Sequence, residues 1–141
     1  MEQRRARVLV VTNSADPSPA LLRWVASRVA DEGREVQLRL VVLNPARAEL
    51  HLLHPERHDR AFEAECALLS TLPLLESAAG GPVIGSVSVR HDPFEAVEET
   101  LLSEPVDEIL LALPVSATRS WGHHDLRDRL ERFGIPVHAL T

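Results

Sequence analysis

The sequence has no lysine, no tyrosine and a single cysteine, and all fifteen of its basic residues are arginine. Without lysine there can be no Walker-type phosphate loop, whose lysine reaches the terminal phosphates. There can be no Schiff base to a carbonyl substrate or to pyridoxal phosphate. A two-component receiver domain, which uses a lysine late in its fold, is not expected. Cys66 alone permits neither an internal disulfide nor a CxxC redox pair. Long apolar runs are missing too. None approaches the roughly 20 residues that span a bilayer, so no membrane partner is expected. The opening MEQRRARVLVV carries basic residues, but its apolar run is short and no cleavage pattern follows. It reads as a strand and not as a signal peptide, which points to the cytoplasm. Positive charge is also scarce: the net charge is −6 at pH 7 with histidine neutral. A general nucleic-acid binder needs a phosphate-neutralising surface, so none is expected here.

What is present suits one globular unit. The 141 residues are enough to bury a core and are read as a single domain, 1–141. Arg7 to Thr12 is a short continuous apolar run of the kind buried on both faces of a parallel sheet. A loop follows, and then Ser18 as N-cap and Pro19 as first helical residue open a helix. Leu22, Val25 and Val29 share its inner face, widened by Leu21 and Trp24, and Gly33 closes it. Val36 to Leu43 is a second strand, broken by Asn44-Pro45. Ala46 to His54 mixes loop and helical-turn signals. Pro55 opens a long helix lined by Phe62, Cys66, Leu69 and Leu72, which Pro73 is expected to end or kink. After the Ala79–Pro82 turn, Val83 to Val89 alternates apolar with small or polar residues and suits an edge strand. Asp92, Pro93 and Glu95 mark a capped helix start, with Phe94, Val97 and Leu101 on the buried stripe. Val106 to Leu113 is a fully buried strand. Leu126, Leu130 and Phe133 mark a last helix closed by Gly134, and Ile135 to Leu140 is a final strand.

Strict alternation of strand and helix implies an α/β fold: a Rossmann-like, three-layer domain with a five-stranded parallel sheet and helices on both faces. In such sheets ligands bind outside the carboxyl ends of the strands, where strand order reverses.

The element order, the opening RVLVVTNSADPSPALLRWV and the ending VDEILLALPVSATRSWGHHDLRDRLERFGIPVHAL together resemble the universal stress protein family, over nearly the whole chain. Pro136 and Val137 match the family's terminal strand, which begins near a proline. The resemblance implies strand order 3-2-1-4-5 and a homodimer through the C-terminal edge strand. It also implies where ATP-binding members hold nucleotide: a Gly-x-x-Gly motif and a later Gly-Ser or Gly-Thr pair after the fourth strand. Glycines let the backbone approach phosphate, and amides at the helix start hold the anion. Aligning Asp107 with the family aspartate puts Ala112 and Val115 at the two glycines, and Asp125-Leu126 or His123-His124 at the later pair. Asn13 stands where the family has an aspartate at the adenine end. The ATP signature is therefore absent, and no cofactor is expected.

The remaining candidate for a ligand is the loop after the fourth strand. Ser116, Thr118, Arg119 and Ser120 supply three hydroxyls and a guanidinium ahead of a helix, and together with Asn13 they form the candidate anion or nucleotide site. An ordinary solvated loop has the same composition. Trp121 could stack on a ring or pack against the helix start. His51, His54 and His58 have helical spacing for a metal, but Pro55 interrupts that helix, and no metal site is read. The glycines of Gly80-Gly81-Pro82-Val83-Ile84-Gly85 precede a strand where a dinucleotide fingerprint would follow one. No G-x-S-x-G elbow occurs, and Cys66 reads as a small core residue. No nucleophile–base constellation is recognisable, so no catalytic residue is assigned. The sequence thus points to a non-enzymatic domain acting by association or by binding a small effector. The alternative is a degenerate nucleotide or anion binder using the loops after the first and fourth strands.

The cap reading is testable. Asp92→Ala should lower stability by ~1 kcal/mol in urea unfolding through loss of an N-cap. No change would place the start of that helix elsewhere.

Overall fold

In the computed structural model, residues 6–13, 18–32, 35–43, 56–88, 93–113 and 126–140 are described, with backbone alone for 56–63. The first apolar run forms β1, Ala6–Thr12, in which every residue but Arg7 is buried. β2 is Val36–Val42, β3 Val83–Val87, β4 Glu108–Ala112 and β5 Val137–Leu140. All four pairings are parallel and the order is β3-β2-β1-β4-β5, as the family resemblance implies. β3 lies at an edge, as its weak alternation suggests. The strands are shorter than the apolar runs. Leu43 and Leu113 lie just outside them yet are buried, and Ile135, two residues before β5, is partly buried.

Among the described residues four helices cover the sheet: α1 (Pro19–Asp31), α2 (Glu56–Ala79), α3 (Pro93–Ser103) and α4 (Leu126–Glu131). One buried cluster joins α1 and α2 to the sheet through Val8, Val10, Leu21, Val25, Leu38, Leu40, Leu75 and Leu110. A second cluster, on the other face, joins α3 and α4 to it through Leu9, Val11, Val97, Ile109, Leu111, Leu126, Leu130 and Val137. The alternation along β1 produces this division, since successive side chains point to opposite faces.

The Ser18 cap of α1 is present: its Oγ accepts from the Leu21 amide at 3.1 Å, and Pro19 is the first helical residue. Leu21 and Val25 are buried, with Leu22, Trp24 and Val29 packed at the margin. Glu32, extended, ends the helix, and Gly33 lies outside the described residues. α3 begins at Pro93, with Asp92 also outside. Gly80 and Gly134 close α2 and the turn after α4 with φ of 72° and 77°, where a side chain would be strained.

α2 departs from the sequence reading in two ways. It does not end at Pro73 but runs through it to Ala79. Pro73 is exposed and so is Leu69, four residues earlier, whose carbonyl loses its helical donor there; water can serve that carbonyl on an exposed face. The inner face is also different. Ala64, Ala67, Thr71 and Leu75 are buried, whereas Leu69 is 71% exposed and Cys66 is half-buried, outside the core. Leu72 does pack at the core margin, and the side chain of Phe62 is not described. Beside these small residues the helix approaches the edge strand closely. A Cβ built on Gly85 would meet Leu68 Cδ1 at 2.6 Å and Leu72 Cδ1 at 3.0 Å. Helix and edge strand come together where the strand has no side chain. Phe133, read as the end of the last helical stripe, sits in the turn after α4. It stacks on Phe94 with ring centroids 5.6 Å apart.

Gly85→Ala should be mild, because only the ends of two leucine side chains must move. Gly85→Leu should destabilise by ~1–3 kcal/mol through overpacking, read from urea midpoints. A leucine variant as stable as the parent would refute the close approach.

Candidate functional site

Strand order reverses between β1 and β4. Thr12 is flanked by Val42 on one side and Ala112 on the other, at the carboxyl ends of the three strands. The crevice outside these ends is the fold's ligand position. Thr12 is buried, and its carbonyl accepts from the Leu43 amide at 2.8 Å. Asn13 follows it at the mouth, half-buried, so this candidate residue lies where the sequence places it. Across the border, Ala112 ends β4 and its methyl packs at the margin of the first core cluster. Its backbone is ordinary strand: no described non-glycine residue has positive φ. Leu113 next to it is buried in the second cluster. Ser116, Thr118, Arg119 and Ser120 lie outside the described residues, as do Val115, Trp121, His123 and His124. His51 and His54 do so too, and the side chain of His58 is not described. The structure therefore positions Asn13 and leaves its pairing with the second loop unaddressed. Among the described residues, no group of three or more His, Cys, Asp or Glu could hold a metal.

A polar cluster that sequence reasoning missed lies at the other end of the sheet. Glu108, the first residue of β4, is mostly buried. Its Oε1 accepts from Arg28 Nε of α1 at 2.7 Å, and its Oε2 is 2.8 Å from Nε2 of His138 on β5. Arg28 Nη1 also donates to Glu32 at 2.8 Å. The ring of Trp24, one turn earlier in α1, is tilted against His138 with centroids 5.6 Å apart. Burial works to lower the Arg28 pKa, but the hydrogen bonds to Glu32 and Glu108 and the charges of both carboxylates outweigh it, and the net direction is up. The guanidinium is thus firmly charged, and the cluster ties α1, β4 and β5 together. No local pattern could have revealed it, since Arg28 and Glu108 are 80 residues apart and Glu108 and His138 are 30 apart. The i,i+4 spacing of Arg28 and Glu32 is the one part that could be read from the sequence.

Asp107, aligned above with the family aspartate, has a concrete local role. Its Oδ2 accepts from the Arg7 amide at 2.9 Å, and its own amide donates to the Arg7 carbonyl at 2.9 Å. The start of β4 is thereby clasped to β1. Nearby, Arg39 of β2 pairs with Glu104 in the turn before β4. The described charge pairs around the sheet's amino-terminal end serve to hold elements together.

Neither a protein-family model nor a curated protein sequence matches the chain. Solved structures do. A universal stress protein from Archaeoglobus fulgidus superposes with a TM-score of 0.65 at 16% identity, covering 96% of this chain and 93% of the other. The universal stress protein from Archaeoglobus fulgidus in complex with dAMP gives 0.64 at 17% identity, covering 98% of each chain. A member of the universal stress protein family from Burkholderia pseudomallei gives 0.58 at 18% identity, covering 96% and 95%. With the strand order, the parallel registers and this likeness over nearly the whole length, the chain has the fold of the universal stress proteins.

Proposed function

We propose that this domain works without catalysing a reaction, by association through β5 or by taking up a small effector, in a cytoplasmic setting. The observation that carries association is the position of β5. It ends the sheet, pairs among the described residues with β4 alone, and contributes Val137, Ala139 and Leu140 as apolar residues out of four. An apolar strand at the end of a sheet invites pairing with another chain, and a second copy is the partner proposed. At the β1–β4 border Thr12 and Leu113 are buried, and Asn13 and Ala112 are half-buried. Sedimentation at about tens of micromolar should find a homodimer, a concentration chosen as an order of magnitude. Monomer alone would reject association through β5.

A second reading is favoured by one of the structural neighbours, whose complex holds dAMP. In it the domain is a degenerate nucleotide or anion binder, with Asn13 after β1 facing Ser116, Thr118, Arg119 and Ser120 after β4. Weighing against it are Ala112 and Val115 where the resemblance calls for glycine. Val115 in particular adds a branched side chain and resists φ > 0. A ligand with a dissociation constant of about 10 μM would stabilise the fold by roughly 2.7 kcal/mol at a hundredfold excess. The melting temperature should not move with ATP and magnesium at about millimolar concentration. An upward shift that disappears in Arg119→Ala would put the second reading first.

A further inference from the structure

We propose that the α2–β3 side of the domain is a self-association surface: a second copy pairs its β3 antiparallel to this β3 and lays its α2 beside this α2. The interface is independent of β5, which lies at the opposite end of the sheet.

Charge sets this side apart. The chain is 26% charged, yet from Cys66 to Ser88 its one charged residue is Glu76. Even that carboxylate is engaged within the chain, where it accepts from the Val83 amide at 3.3 Å. Leu69, Pro73 and Leu74 are exposed on α2, and Ile84 is exposed on β3. The outward side of a surface helix ordinarily carries charged and polar residues. A strand that ends a sheet is ordinarily guarded by charge, by proline or by a bulge. β3 reads VIGSV, with neither charge nor proline, and its register with β2 runs one to one without a bulge.

The absence of charge selects the occupant. Two copies of a chain with net charge −6 repel each other. They meet at least cost where neither presents charge, whereas an oppositely charged partner is drawn to an acidic surface. An interface between identical copies must also match itself. End strands do so when two run antiparallel about a twofold axis through the sheet, each offering the other its outward amides and carbonyls. Such an axis keeps equivalent helices on one face. α2 lies over β2 and β3, so α2 and its mate are two strand spacings apart, about 10 Å. Helices pack at roughly 8–10 Å. Leu68 and Leu72 lie over Gly85, the middle residue of β3, which brings Leu69 between them close to the axis. On the other face, the second β3 covers Ile84. Glu65, exposed, and Glu76 stand at the two ends of the helix contact. Glu76 is held by the Val83 amide, so Glu65 is the residue that limits its strength.

Ala139→Glu puts a charge on β5 and separates this interface from the β5 pairing proposed above. In sedimentation equilibrium from about 5 to about 500 μM, Ala139→Glu should still form a dimer. Adding Leu69→Glu should weaken that dimer by about tenfold or more. Leu69 is 71% exposed in the single chain, so circular dichroism should show the fold intact. Adding Leu102→Glu instead, at an 84% exposed position on α3, should change nothing. Glu65→Arg should tighten the dimer by about three- to tenfold, and Glu98→Arg, the same change of charge on α3, should not. Amide exchange from Val83 to Val87 should slow as the dimer forms. The proposal is overturned if Ala139→Glu is monomeric throughout, an outcome that would give the face to a different protein. It is equally overturned if Leu69→Glu and Leu102→Glu act alike, or if Glu65→Arg and Glu98→Arg do. If the parent and Ala139→Glu dimerise equally while Leu69→Glu alone is monomeric, this interface stands and pairing through β5 falls.

Discussion

The constraint on which the structure depends is the hydrogen-bonding demand of β1. Its residues from Val8 to Thr12 are buried, so their amides and carbonyls are out of reach of water and must be paired within the protein. They are paired with β2 on one side and β4 on the other, in parallel, over registers that end together at Thr12, Val42 and Ala112. Parallel pairing requires a crossover for every strand, and each described crossover carries a helix. With apolar side chains alternating to both faces, each face needs a cover. The two clusters around β1 are the outcome.

This arrangement gives the sheet two unlike ends. At the amino-terminal end, charged side chains connect elements distant in sequence: Arg28 with Glu108, His138 with Glu108, and Arg39 with Glu104. Asp107 adds a clasp to the backbone of Arg7. At the carboxyl end, the described residues around the β1–β4 border are buried or half-buried and weakly polar. Ala112 occupies ordinary strand backbone, and its methyl contributes to the core, so this position does structural work where an approach to phosphate would need bare backbone.

Helix α2 shows how packing distance overrides apolar periodicity. A reading that follows the largest apolar residues selects Phe62, Cys66 and Leu69. The helix instead buries Ala64, Ala67, Thr71 and Leu75, and its Leu68 and Leu72 lie over Gly85 of β3. Leu69 is left in solvent by that rotation, and Pro73 falls on an exposed part of the helix where a missing amide is tolerated.

By itself the sequence determined the alternation of strands and helices, the Ser18 cap, the apolar sides of α1 and α3, Leu126 and Leu130 as the buried residues of α4, and the edge character of β3. Each of these follows from neighbours within one turn or one strand, where periodicity, caps and breakers act directly. It also carried enough of a family resemblance to imply the strand order and to place Asn13 at the crevice mouth. Tertiary structure alone decided which face α2 buries, because that depends on its packing against α1, β2 and β3. It alone brought Trp24, Arg28, Glu108 and His138 together, because their convergence depends on strand register and not on spacing along the chain.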